Sequence, residues 1–342
     1  MQTLSRADAR RRRWSSQLLG GSGLSPTQVV DRAVALQGQD LPAVLRAIAL
    51  RSRPETTIDD VRAAFDRGEL VRSWPVRGTL FATTPAHLGA LRSLTRERIH
   101  RSTIRRRAQL GLDDATLERA RDIALEALAE RPATRSEVLA LWDEAGLEPS
   151  GGRGYHLIFH HAVAGLWHWG AFRGGEQVLT PSPAQAPTDA DPLTNIVRGL
   201  VTARGPVTEN DLAWWLKLPK TQVRKAAASA GLTGVSVDDE PAWIAGDQAD
   251  PGDTGVTLVP AFDEWILGYA DRSLVASAAM QAALVPGNNG VFRPAIIVDG
   301  IVVGTWRGPA KGRPDASFEL VERVPAATHR RIERAVAAWP HG

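Results

Sequence analysis

GPVTENDLAWWLKLPKTQVRKAAASAGL, residues 205–232, is the stretch that decides the fold. Thr208 is a residue type that caps helix N-termini, and three apolar residues follow it at helical spacing: Leu212, Trp215 and Leu216. Pro219 ends this helix in a turn, and a second helix is expected over 221–229. The stretch therefore predicts a helix-turn-helix, and a winged-helix unit is completed by two short strands, 235–237 and 242–245.

The same succession of short helices and a hairpin occurs twice upstream. The first unit is expected to contain helices over 26–38, 41–51 and 57–67, and strands over 69–74 and 77–83 around a turn at Pro75. The second unit is expected to contain helices over 114–130, 136–146 and 154–165, and a hairpin of 166–172 with 177–181.

Beyond residue 255 the pattern changes to strands. Asp299-Gly300 lies between alternating apolar runs in 294–306, which is typical of a type I′ hairpin turn. A further strand over 317–322 and an amphipathic helix over 326–339 complete a C-terminal α+β or β-barrel-like domain.

The predicted fold class is therefore mainly α with small β hairpins, as tandem winged-helix units followed by this C-terminal domain. The predicted domains are 1–110, 111–185, 186–250 and 251–342. Stretches rich in proline, glycine and aspartate indicate linkers at 181–192 and 246–255.

Length and composition limit the class of protein. The chain has 342 residues, enough for two or three domains, and 43% of them are apolar and 23% charged, as in globular proteins. It contains no run of ~18 apolar residues that could span a membrane, and no apolar stretch follows the basic N-terminus as in a signal peptide. It has no cysteine, which excludes disulfides and thiolate metal sites. We therefore expect a cytoplasmic protein.

The net charge of +3 is modest, but arginines are concentrated in one segment. The segment 92–107 is a predicted helix with a thin apolar stripe, and its one acid is Glu97. Its seven arginines are 92, 96, 98, 101, 105, 106 and 107. A solvated basic face is the ordinary interpretation of such a run. Because so many like charges repel one another without a polyanion, we favour contact with nucleic-acid phosphates, with Arg96, Arg101 and Arg105 as candidates.

Three other segments identify a family by their order and spacing. They are Gln37-Gly38-Gln39 near the N-terminus, VRSWPVRGTLF at 71–81 and LVPAFDEWILGYADR at 258–272. Together they resemble the tandem winged-helix bacterial DNA glycosylases typified by AlkZ and YcaQ, over roughly residues 25 to 338. That family carries a Gln-aliphatic-Gln or Gln-aliphatic-Asp motif, so Gly38 departs from its pattern.

The resemblance implies a substrate and two catalytic residues. The family removes alkylated guanines from DNA, including guanines in interstrand crosslinks, and its motif maps onto Gln37 and Gln39. It implies a monofunctional glycosylase that needs no cofactor or metal and acts on double-stranded DNA.

The chemistry of an amide agrees with this substrate class. An amide takes no proton at a useful pH, so neither glutamine can be a general base. Its carbonyl oxygen can orient a water and stabilise a developing sugar cation. Guanine alkylated at N7 is already cationic and leaves as a neutral base, so this limited help suits it better than a neutral lesion such as uracil.

Geometry sets a condition on this assignment. Residues two apart lie on nearly opposite faces of a helix, so Gln37 and Gln39 could not share a site there. Gly38 weakens a helix, and Pro42 disfavours the helical conformation at Leu41. Both side chains can point the same way if the backbone is irregular or near-extended. Exposed amides are common, and without the resemblance they would be interpreted as surface residues.

Other candidate site residues have two interpretations each. Arg77 could bind a phosphate or line the lesion cleft, and Trp74 is a cleft candidate or a core residue. Asp263 could be a carboxylate of the cleft or half of an ion pair with Arg272 or Arg77. Two basic residues of a glycine-rich loop are candidate phosphate contacts, Arg307 and Lys311.

The histidines do not predict a metal site. His156 and His160 are four apart, but neither an HExxH motif nor a third ligand at a suitable spacing accompanies them. We therefore interpret them, with His161 and His168, as core or DNA-facing residues.

Two other classes of protein share these patterns. Winged helices also occur in transcription regulators that bind DNA without chemistry, and in scaffolds that bind other proteins. A regulator is normally a dimer that reads two half-sites, and no heptad pattern indicates a dimerisation helix unless 325–338 serves. Three units with a distinct C-terminal domain fit a monomeric, nucleoid-associated enzyme better.

Overall fold

The structure is a computed structural model, and it describes residues 2–183, 191–246, 252, 254–311 and 314–339. It is a mixed α/β fold with three sheets. The prediction of a mainly α protein with small β hairpins is therefore confirmed only in part, because the hairpins join larger sheets. The described helices include none with the length and apolar composition that crossing a membrane requires.

The first unit begins with a strand and a helix that lie outside the predicted pattern. Its elements are β1 (Gln2–Leu4), α1 (Arg6–Ser16), α2 (Pro26–Ala33), β2 (Ala35–Gln37), α3 (Leu41–Arg51), α4 (Ile58–Asp66), β3 (Val71–Val76), β4 (Thr79–Thr83) and α5 (Pro85–Gln109). The Thr57 capping box begins α4 as expected.

Two predictions in this unit are wrong. The predicted helix over 26–38 ends at Ala33, because Val34 has a φ of 67° and the next three residues pair with β4. The hairpin does not turn at Pro75, which lies within β3. It turns at Arg77-Gly78, whose φ angles of 58° and 72° are those of a type I′ turn.

The second unit has the predicted elements within one or two residues. They are α6 (Asp114–Glu130), α7 (Arg135–Glu144), α8 (Arg153–Ala164), β5 (Trp167–Arg173) and β6 (Glu176–Pro181). Its hairpin extends the sheet of the first unit, in which the strand order is β2-β4-β3-β5-β6. Arg72 of β3 pairs with Trp169 of β5, so the two units share one sheet.

The third unit contains the two helices predicted for residues 205–232 and the two strands predicted after them. It consists of α9 (Pro192–Arg204), β7 (Val207–Thr208), α10 (Glu209–Leu216), α11 (Lys220–Ser229), β8 (Thr233–Val237) and β9 (Glu240–Ile244). Thr208 caps α10 in a capping box with Asp211. The sheet order is β1-β8-β9-β7, so β1 from the N-terminus joins this unit in parallel with β8.

The C-terminal part forms an open sheet rather than a barrel. Its elements are β10 (Val256–Val259), α12 (Glu264–Leu267), α13 (Ala278–Leu284), β11 (Ala295–Val298), β12 (Ile301–Arg307), β13 (Ser317–Leu320) and α14 (Ala326–Ala338). The strand order β10-β11-β12-β13 is an antiparallel meander. Asp299-Gly300 forms its predicted turn, with φ angles of 48° and 75°.

The four predicted domains stay a prediction, and two of the sheets cross their boundaries. The predicted linkers fall largely on 184–190, 247–251 and 253, which lie outside the described residues.

Candidate active site

Gln37 and Gln39 lie at the point where an edge strand ends and a helix begins. Gln37 is the last residue of β2 and only 9% exposed, whereas Gln39 is exposed. Asp40 then caps α3 by accepting a hydrogen bond from Ala43 N at 2.9 Å. The segment is therefore not helical, which meets the geometric condition. The effect predicted for Pro42 is wrong, because Leu41, which Pro42 was expected to keep out of a helix, is the first residue of α3.

Both amides reach the beginning of β4. Gln37 Nε2 lies 3.5 Å from Thr79 Oγ1, and Gln39 Oε1 lies 3.5 Å from the backbone N of Leu80. Residues two apart in an extended segment point to the same side, which explains why the two side chains converge. The structure thus brings together one buried and one exposed amide at one end of a strand.

Gly38 allows a close approach of its backbone to β4. Its N donates to Leu80 O at 2.8 Å, and its carbonyl oxygen accepts from Arg72 Nε at 2.6 Å. A Cβ atom here would lie 3.0 Å from Ala82 N and 3.1 Å from the carbonyl carbon of Phe81. Burial lowers the pKa of Arg72 to about 10, so its guanidinium remains charged at neutral pH. Gly38 therefore lets β2 lie tightly against β4.

Substitution of Gly38 by alanine is expected to destabilise the protein by about 1 kcal/mol, since the added Cβ must push backbone atoms of β4 apart. Thermal or denaturant unfolding measures this change. Gly23 is the matched control, because a Cβ there meets nothing within 4 Å. Gly23→Ala is expected to be neutral or slightly stabilising. Equal stability of the two variants would show that the contact at Gly38 is not tight.

Asp263 is buried in an ion pair instead of lining an open cleft. It is 4% exposed, and both of its oxygens accept hydrogen bonds from the guanidinium of Arg51, at 2.8 and 2.9 Å. The neighbouring Glu264 pairs with Arg204. The expected partners of Asp263, Arg272 and Arg77, are therefore wrong, although the interpretation as an ion pair is confirmed.

Trp74 also belongs to the core. It is 2% exposed and makes edge-on ring contacts with Phe159 at 5.6 Å and Tyr155 at 6.0 Å. The indole thus fills the space between β3 and α8 and is not part of an open cleft, which corrects that candidate role.

Arg77 lies in an aromatic box at the β3–β4 turn. Its guanidinium carbon is 4.7 to 5.6 Å from the ring centroids of Trp214, Phe81 and Trp215. It donates to Leu267 O at 3.4 Å, and its second terminal nitrogen, Nη2, is buried without a hydrogen-bond partner among the described residues. Burial lowers its pKa to about 10, so it stays cationic at neutral pH. Arg77 is therefore largely enclosed by protein groups, and its role at a phosphate or in a lesion cleft stays a prediction.

The basic helix α5 exposes the three arginines predicted to contact DNA. Arg96, Arg101 and Arg105 are exposed, and none of them forms an ion pair within the part of the chain that the structure describes. Arg98 instead donates to Leu216 O at 3.0 Å and ties α5 to α10. The helix therefore keeps an exposed basic face while Arg98 holds it against α10.

Arg307 and Lys311 are exposed at the end of β12 and in the loop after it. A cavity of about 400 Å³ separates this region from the beginning of α3. Its lining includes Leu41, Pro42, Arg46, Phe172, Trp306, Gly308 and Trp339. The loop thus lies across a cleft from the helix that follows Gln39, and its contact with DNA stays a prediction.

The histidines are divided between the core and the side of α5. His161 Nε2 lies 3.0 Å from Leu117 O in the core, and the rings of His100 and His160 are 4.5 Å apart between α5 and α8. Burial lowers the pKa of His160 to about 3 and that of His161 to about 4, so both are neutral at pH 7. Within the described ranges, no group of three potential ligands could hold a metal ion.

Three residues around the glutamines are not among the candidate site residues predicted from the sequence: Thr79, Arg204 and Glu264. Thr79 and Glu264 lie inside the quoted motifs, so their position in a motif was the available signal. Arg204 lies at the end of α9, where nothing in the local pattern distinguishes it from other arginines.

Comparison with known proteins gives matches by family model, by sequence and by structure. A family model described as DNA glycosylase AlkZ-like matches residues 30–340. The interstrand DNA cross-link repair glycosylase of Streptomyces sahachiroi is 25% identical over 346 residues, which are 92% of this chain and 89% of that protein. The solved structure of Streptomyces sahachiroi DNA glycosylase AlkZ has a TM-score of 0.79 at 21% identity, covering 98% of this chain and 96% of that one. At that identity, the structural match shows a shared fold.

Proposed function

Because this chain belongs to the AlkZ-like DNA glycosylase family, we propose that it excises cationic N7-alkylguanine from double-stranded DNA. The observation that carries this proposal is the convergence of the Gln37 and Gln39 amides at the beginning of β4. The name of its Streptomyces relative, an interstrand DNA cross-link repair glycosylase, supports crosslinked DNA as a further substrate.

The proposed reaction is hydrolysis of the glycosidic bond. A water oxygen attacks C1′, the bond from C1′ to N9 breaks, and its electrons neutralise the positive charge of the departing base. The water loses a proton to solvent. Gln39, which is exposed, orients the water, and the amide oxygen of Gln37 stabilises the developing sugar cation. Because water is the nucleophile, the enzyme is monofunctional and leaves an abasic site.

DNA binding is assigned to winged-helix units and to the face of α5. The third unit supports this assignment, because the helices α10 and α11 are followed by the β8–β9 hairpin, and β7 pairs with β9. The exposed arginines 96, 101 and 105 supply positive charge, against which the segment 92–107 has one acid, Glu97. We propose that a monomer holds the duplex backbone with these elements, with Arg307 and Lys311 as further phosphate contacts.

Charge reversal at Arg101 and Arg105 is expected to weaken binding to all duplexes alike, because phosphate contacts carry no sequence information. The slope of log affinity against log salt should fall by about one unit per lost contact. Fluorescence anisotropy over a salt series measures both. The matched control reverses Arg330 and Arg331, which are exposed on α14, a helix to which no DNA contact is assigned. Equal losses in both double variants would contradict a specific role for α5.

The substrate panel that tests the function contains N7-methylguanine, a nitrogen-mustard crosslink and uracil in one duplex context. The N7 atom lies at the major-groove edge, so its substituents project away from the sugar. A crosslinked base cannot rotate out of the duplex as most glycosylases require. We expect release of both alkylated guanines and little release of uracil. Efficient uracil release, or refusal of every bulky adduct, would indicate an enclosed pocket and overturn the proposal.

A further inference from the structure

The outer edge of β2 is covered by two side chains instead of a strand. In its sheet β2 is the first strand and pairs only with β4. On the other edge, Glu264 Oε1 accepts a hydrogen bond from the backbone N of Gln37 at 3.1 Å. Arg204 donates to the carbonyl oxygens of Ala33 at 3.0 Å and Ala35 at 2.8 Å. A carboxylate and a guanidinium thus supply the acceptor and the donors that a neighbouring strand would provide.

The two oxygens of Glu264 have separate partners. Oε2 accepts from Arg204 at 3.0 and 3.2 Å and from the indole N–H of Trp215 at 3.3 Å. The side chains of Arg204 and Glu264 are 3% and 2% exposed, and the guanidinium lies 4.9 Å from the Trp215 ring centroid. Oε2 is therefore anchored, which leaves Oε1 fixed in position for Gln37.

From this geometry we infer that Glu264 is a positioning residue, which sets the place of Gln37 in the active site by holding its backbone N–H. The inference rests on the proposed function, in which the Gln37 amide acts on the sugar. Gln37 is the last residue of β2, so its N–H is the last point at which the outer edge of the strand is held before the chain turns into α3. A displacement of about 1 Å in a catalytic group can cost about 100-fold in rate.

Two substitutions separate positioning from a purely structural ion pair. Glu264→Gln keeps the length of the side chain, but the donors of Arg204 and Trp215 draw its one oxygen to them, so its NH2 group faces the N–H of Gln37. Glu264→Asp keeps the charge, but it is one methylene too short to reach Gln37 N while bound to Arg204. We expect Glu264→Gln to lose about 10-fold or more in the rate of base release, because two donors then face each other at Gln37 N, and to lose stability as well. Glu264→Asp should lose about 10-fold or more in rate with duplex affinity unchanged.

Hydrogen exchange at the backbone N–H of Gln37 supplies a readout that does not depend on catalytic activity. We expect faster exchange at this N–H in both Glu264→Asp and Glu264→Gln than in the wild type, because neither variant keeps an acceptor for it. Leu128→Ala is the stability control, because Leu128 is buried in the core of the second unit and its loss destabilises without touching β2.

These outcomes distinguish the inference from the proposed function. If the wild type releases no base, the proposed function fails, and the exchange experiment still tests the hydrogen bond. Unchanged exchange at the backbone N–H of Gln37 in Glu264→Asp overturns the inference, as does a wild-type rate of base release in Glu264→Asp. A loss of rate in Leu128→Ala equal to that in Glu264→Asp would also overturn it, because destabilisation alone would then explain both.

Discussion

Alanine at Gln37 or at Gln39 is expected to slow base excision by about 100-fold or more, with folding and duplex affinity nearly intact. The two amides act on one water and one sugar cation, so either loss removes part of the same arrangement. Single-turnover release of N7-methylguanine measures the rate, and anisotropy measures the affinity. Gln281→Ala serves as the control, since this glutamine of α13 bonds to Ala276 O, within its own part of the chain.

Because the two glutamines act together, their losses should not add. The double variant is expected to be little slower than the slower of the single variants. Wild-type rates in both single variants would end the catalytic assignment. A large fall in melting temperature with a normal rate would instead assign a structural role to the buried Gln37.

Alanine at Asp263 is expected to reduce the free energy of unfolding by roughly 3–5 kcal/mol. The substitution leaves the Arg51 guanidinium buried, with Ala47 O at 3.1 Å and Gln17 Oε1 at 3.3 Å as its remaining acceptors. It also removes the cap of α12, because Asp263 accepts from Trp265 N at 2.8 Å. Denaturant unfolding followed by circular dichroism measures the loss.

Two variants control this prediction. Arg51→Met with Asp263→Leu removes both charges and is expected to recover much of the lost stability. Asp59→Ala breaks the exposed pair of Asp59 with Arg62 on α4 and should cost less than about 1 kcal/mol. A loss at Asp263 no larger than that at Asp59 would show that the buried pair contributes little.

The parts of the fold that were predicted correctly carry their signal locally. Thr208 and Asp211 form a capping box within one turn, and the apolar spacing after them defines α10 without help from the rest of the chain. Asp299-Gly300 likewise determines its turn by its own conformational preference. Gln37 and Gln39 were identified by their motif, and their extended backbone was stated as a condition.

The parts that were missed depend on contacts between distant segments. The apolar pattern of α2 continues into residues 35–37, so the local sequence predicts a longer helix. These residues form a strand because β4, more than forty residues later, pairs with them. The partners of Asp263 and Glu264 come from α3 and α9, so local spacing gives no sign of them. Burial of Trp74 and Asp263 likewise follows from packing between units.

Release of free N7-methylguanine from a duplex by the purified protein tests the central claim most directly. The wild type and the Gln37→Ala, Gln39→Ala double variant are compared in single turnover, with chromatographic detection of the free base. We expect release by the wild type and a loss of about 100-fold or more in the double variant, with both proteins folded and bound to DNA. No release by the wild type, or equal release by the two proteins, would contradict the account.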